Sequence, residues 1–167
     1  MKKIGNKKGF TLIEILIVIG LIAILATIVL VALNPARQFA QARNSQRTSN
    51  VNAILNAIGQ RMVDNKGLFE IGCAAGVIPA TAANMAKTGG YDIRPCIVPI
   101  YMSELPYDPS TGSNTCVDTT PGDCAGGSYD TKYTAAQDAT TRRVTVCAPL
   151  AATETAIPTA SAICITR

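Results

Sequence analysis

The sequence predicts an α+β fold: a long N-terminal helix, membrane-spanning in its first half and amphipathic in its second, packed against a small antiparallel sheet stapled by disulfides. Three observations predict it. Residues 10–33 form a 24-residue apolar run whose single charge is Glu14. Residues 36–66 turn polar but keep apolar side chains at helical spacing. Residues 67–167 hold all six Cys and eight of the nine Pro, which suits short strands and loops better than long helices. A chain of 167 residues has room for one domain and an appendage.

Composition removes several function classes. Lys2, Lys3, Lys7 and Lys8 hold four of the 15 basic residues, and the other 11 balance the 11 acidic ones. That balance excludes the broad basic footprint of a nucleic-acid-binding domain. The chain has no His, so it lacks the commonest general base and metal ligand and every Ser-His or Cys-His pair. No phosphate loop, GxSxG elbow or metal-binding pair occurs, and no enzyme activity is expected. Six Cys without a CxxC spacing point to disulfides in an oxidising compartment.

The apolar run reaches about 36 Å as a helix, enough to cross a hydrocarbon core of about 30 Å. It is roughly twice a secretory h-region, and its exit, Leu33-Asn34-Pro35-Ala36-Arg37, is not a small-x-small cleavage site. A plain anchor fits the length but leaves Glu14 unexplained. A carboxylate inside a spanning helix costs about 2–3 kcal/mol and needs a partner.

The stretch Lys7-Lys8-Gly9-Phe10-Thr11-Leu12-Ile13-Glu14 resembles the processing site of type IV prepilins and type II secretion pseudopilins. The resemblance is strong over residues 1–66 and looser beyond. It implies a leader, residues 1–9, that a membrane prepilin peptidase removes between Gly9 and Phe10, with N-methylation of Phe10. It further implies that the Glu14 carboxylate meets the N-terminus of a neighbouring subunit as a filament grows. The physics agrees: a freed α-amine is mostly protonated at neutral pH, and either its own or a neighbour's amine would neutralise Glu14. Four Lys ahead of the span place the N-terminus in the cytoplasm and the rest outside.

Residues 10–34 are therefore read as the transmembrane and filament-core helix, and residues 35–66 as its amphipathic continuation. Pro35 lacks a backbone N–H, so loosening is expected near residues 32–35, with Gly20 a second soft point. Val51, Ile54, Leu55, Ile58 and Met62 make one apolar stripe. Arg37, Arg43, Arg47 and Arg61 read as a solvated face or subunit contacts rather than a phosphate track, since no aromatics interleave for base stacking. Gly67 suits a left-handed helix stop after Asn65-Lys66.

The extracellular head is residues 67–167, with strand candidates at 132–137, 142–148 and 161–166. Leu105-Pro106-Tyr107-Asp108-Pro109 resembles a run common in the same family before its sheet. Six Cys allow fifteen connectivities, of which one is favoured. Val144 and Val146 share a face, as do Ile163 and Ile165, so Cys147 and Cys164 meet on the other face of paired strands. Cys116 and Cys124 flank the Pro121-Gly122 turn, which leaves Cys73 with Cys96. Asp118, Asp123 and Asp130 lie in a Gly-rich loop, and major pseudopilins resemble this in holding calcium there. The spacing is not that of an EF-hand and has no bidentate Glu, so a solvated loop is preferred and no cofactor or metal is assigned.

The expected function is a structural pilin of a type IV pilus. A type II secretion pseudopilin is the alternative, and a membrane-anchored extracellular binding domain comes third. Three disulfides and the size of the head lean towards the pilin. Implied partners are copies of itself and other pilins, the prepilin peptidase, a membrane assembly platform with a cytoplasmic motor, and the bilayer before assembly. No DNA or surface ligand is assigned. The expected location is a single-pass inner-membrane precursor, then an extracellular pilus or a periplasmic pseudopilus.

Overall fold

The computed structural model describes residues 9–167, so Lys2, Lys3, Lys7 and Lys8 lie outside the described residues. The chain divides into two compact units at Gln38 and Phe39. The first is dominated by α1 (Leu12–Leu33), which is apolar on every side and exposed along its described side chains. An apolar surface without a polar face marks a helix whose solvent is lipid or other helices. α1 runs through Gly20 without a break. It stops where Asn34 takes a left-handed conformation (φ 39°), immediately before Pro35. Loosening therefore falls inside the expected window, and it divides the anticipated long helix into α1 and α2 (Pro35–Asp64). Asn is among the few non-Gly residues that tolerate this region, because its short polar side chain can bond locally. Here its Oδ1 accepts the Arg37 amide.

In the second unit, α2 supplies the core with Val51, Ile54, Leu55, Ala57 and Ile58, all buried, while Met62 is partly buried. Fully burying one such Ile contributes about 1.5–3 kcal/mol. The helix ends at Asp64, and the Gly67 amide folds back onto the Met62 carbonyl at 2.7 Å. After α2 come β1 (Ala83–Ala86), the short α3 (Arg94–Ile97), β2 (Ser113–Asn114), β3 (Tyr129–Gln137), β4 (Val144–Ala148) and β5 (Ile163–Thr166). A 3-10 turn at Pro149–Thr153 follows β4.

The sheet is antiparallel in the order β1-β3-β4-β5, with β2 also paired to β3. Three of these strands match the expected segments, shifted by two or three residues at their starts. β1 and β2 were not anticipated. Both pair with β3, β1 at Ala83↔Ala135 and β2 at Asn114↔Tyr129. Along β3, Tyr129, Thr131, Tyr133, Ala135 and Gln137 are buried and the residues between them are not, which is the period-two pattern of a half-buried strand. Val146 pairs with Ile165 and Cys147 with Cys164. Among the described residues three disulfides close, Cys73–Cys96, Cys116–Cys124 and Cys147–Cys164.

Candidate assembly site

The proposed processing residues, Gly9 and Phe10, are both exposed. Gly9 and Phe10 precede α1, and Phe10 is 80% exposed, so no core accounts for an aromatic ring there. A Cβ added at Gly9 would meet nothing within 4 Å. The fold itself does not require glycine at this position. Thr11 caps α1, its Oγ1 accepting the Glu14 amide at 3.2 Å, which satisfies one of the first-turn donors. Glu14 then sits in the first turn, where a carboxylate complements the helix N-terminus. Among the described residues none gives its side chain a cation partner. Within α1, Leu12–Val31 is long and apolar enough to cross a membrane. The arrangement offers one carboxylate on an otherwise uncharged rod, a feature suited to recognition rather than to reaction.

Between α2 and the head lies a buried ionic cluster that the sequence reading missed. Arg47 is fully buried. Its Nε and Nη2 donate to the two Asp108 oxygens at 2.6 and 3.1 Å, and its Nη1 donates to Glu154 at 2.5 Å. Ser110 Oγ and Asn44 Oδ1 accept two further bonds. Arg43 reaches the same Glu154 through Nε and Nη2 at 2.8 and 2.5 Å. The Arg43 bonds, with those of Arg47, hold the Glu154 carboxyl down to about 2. Burial pushes the Asp108 carboxyl up, but Arg47 and Ser110 outweigh it and hold it below the usual range. Arg61 is also buried, donating to the carbonyls of Phe69, Cys96 and Ile71 at 2.9, 2.7 and 2.6 Å. The expectation of a solvated arginine face is thus corrected at positions 47 and 61. The available signal was spacing: 47, 51, 54, 58 and 61 lie on one helical stripe.

Asp118, Asp123 and Asp130 are not brought together, and among the described residues no group of three acidic or Cys side chains could hold a metal. Each carboxylate is occupied by the protein. A carboxylate offers about four lone-pair sites. Asp118 accepts Arg94 Nη1 and Nη2 at 2.5 and 3.0 Å and the amides of Cys124 and Gly122 at 2.9 and 3.2 Å. Asp123 accepts from Thr119, Thr120 and Ala125. Asp130 accepts from Lys132 and Asn84. The residues present do not fit a calcium ion.

Residues 4–30 match the family model of the prokaryotic N-terminal methylation motif. The chain is 31% identical over 137 residues to type II secretion system core protein G of Escherichia coli (strain K12), covering 78% of this chain and 82% of that protein. No solved structure matches.

Proposed function

Because the chain belongs to the pilin and pseudopilin family, we propose that it is a pseudopilin: a precursor trimmed between Gly9 and Phe10, methylated on Phe10, and polymerised through α1 to serve a type II secretion machine. The observation that carries this reading is the reach of the similarity to core protein G, which covers 78% of this chain and so extends well past the N-terminal motif into the head. It favours the secretion subunit over the pilus subunit that the size and disulfides of the head suggested.

The mechanism is assembly rather than catalysis. In the bilayer, α1 is solvated by lipid on every side, and Glu14 carries a penalty unless neutralised. A second subunit in register brings its cationic N-terminus to that carboxylate. The pair forms only when the axial step between neighbours is right, so it fixes register while apolar packing supplies the bulk of the contact. The peptidase, the assembly platform and its motor act on the chain from outside.

Depletion of the chain from its host tests the reading, with secreted proteins and sheared surface filaments followed side by side. A pseudopilin predicts secreted proteins trapped in the periplasm. Surface filaments that contain the chain and vanish on depletion, with secretion intact, would instead identify a type IV pilin. The stapled head favours that second reading, since disulfides resist unfolding outside the cell.

A further inference from the structure

The loop between Cys116 and Gly127 has the composition of a cation-binding loop, yet its oxygens already face cations of the chain. Arg94 is 1% exposed. Its guanidinium makes two forked pairs, one with Glu104 at 2.9 and 2.7 Å and one with Asp118 at 2.5 and 3.0 Å. Asp118 in turn accepts the Gly122 and Cys124 amides, so the guanidinium organises the turn through that carboxylate. Lys87 Nζ donates to the carbonyls of Cys124 and Gly127 at 2.6 and 3.0 Å. Carboxylate and carbonyl oxygens of one loop thus face two cationic side chains, Arg94, which it shares with Glu104, and Lys87. The glycines need no ligand to explain them. A Cβ at Gly127 (φ +76°) would lie 2.0 Å from the Thr115 carbonyl oxygen, and one at Gly122 (φ +88°) 2.2 Å from that of Val98. Arg94 sits in α3 two residues before Cys96, so the same contacts tie the Cys116–Cys124 loop to the Cys73–Cys96 staple.

We propose that Arg94 and Lys87 stand in place of a bound divalent cation, and that the head of this chain folds and keeps its loop ordered without calcium. The inference concerns the head alone and holds whether the subunit serves secretion or a pilus.

The test uses the full chain in detergent micelles, with calcium ions alone as the probe. Thermal unfolding is compared in a chelator and in Ca²⁺ raised well above the roughly 0.1–1 mM dissociation constants of extracellular calcium modules. The expected result is one Tm under both conditions. A Tm that rises saturably with Ca²⁺ would overturn the proposal. Hydrogen exchange then reads the loop in Arg94→Gln. The Cys124 and Gly122 amides should exchange about ten to a hundred times faster, the size of one lost charge-assisted hydrogen bond, with or without Ca²⁺. Unchanged protection at those amides would also overturn it. Should Arg94→Gln fail to fold, Lys87→Met is read in the same way at residues 124–127, and the comparison of wild-type Tm values stands by itself.

Discussion

Among the described residues Glu14 meets no cation, and its effect depends on what it meets next. Replacing it with Ala makes α1 more apolar, so membrane insertion should persist while filament yield falls at least tenfold, about 1.4 kcal/mol per subunit contact. Normal yield from Glu14→Ala in cells without the native subunit would remove the proposed pairing. Gly9 poses the complementary case. Space is open around it, so Gly9→Val should leave the fold alone and act only where a peptidase must admit the backbone. Full-length precursor should accumulate in the membrane, and an immunoblot showing mature chain would contradict the assigned junction. Arg47 differs from both because it is enclosed. Arg47→Met strands the buried Asp108 carboxylate, leaves Glu154 to Arg43 alone, and should cost about 3–5 kcal/mol in urea unfolding. Arg43→Met, at a side chain 37% exposed, should cost far less. Equal losses would mean that burial does not set the difference.

At the level of elements, α2, β4 and β5 were legible because their apolar periods are regular, and β3 because it lies one short turn before β4. β1 was not, since Ala83-Asn84-Met85-Ala86 has no β-branched residue and pairs only because β3 presents a free edge. β2 is two residues long and owes its register to Tyr129 and Asp130. Arg47 and Arg61 were hidden for another reason. A charge on an apolar stripe reads as solvated until its carboxylate or carbonyl partners are known, and Asp108 and Glu154 lie 61 and 107 residues from Arg47. The N-terminal methylation motif was legible from residues 7–14, whereas the protein-filled loop around Asp118 was not. The Cys147–Cys164 link joins residues already opposite one another on β4 and β5. Removing it as Cys147→Ser with Cys164→Ser should lower stability by about 2–4 kcal/mol and leave the far-UV circular dichroism intact. Loss of the sheet signal at low temperature would show that the disulfide, and not the Val146–Ile165 pairing, sets the register.

For the molecule as a whole, the acid limit follows from the carboxylates tied to arginine. Glu154 is held at about 2 by Arg43 and Arg47, and Asp118 at about 2 by Arg94 and the Cys124 and Gly122 amides. Both are depressed on folding, so their stabilisation is complete above the unfolded values near 4.5 and 3.8 and is lost as pH falls towards the folded ones. Urea midpoints should stay flat from neutral pH to about 4.5 and drop between about 4.5 and about 2. A midpoint that begins to fall near neutral pH would place the sensitive groups elsewhere. Trimming and polymerisation are read together by mass spectrometry of intact chains from purified filaments. The expected species begins at Phe10, is one methyl group heavier than the unmodified peptide, and is absent from filament fractions of Glu14→Ala cells. Filaments built from chains that begin at Met1, or a mature chain recovered only as a membrane monomer, would contradict assembly through a trimmed α1.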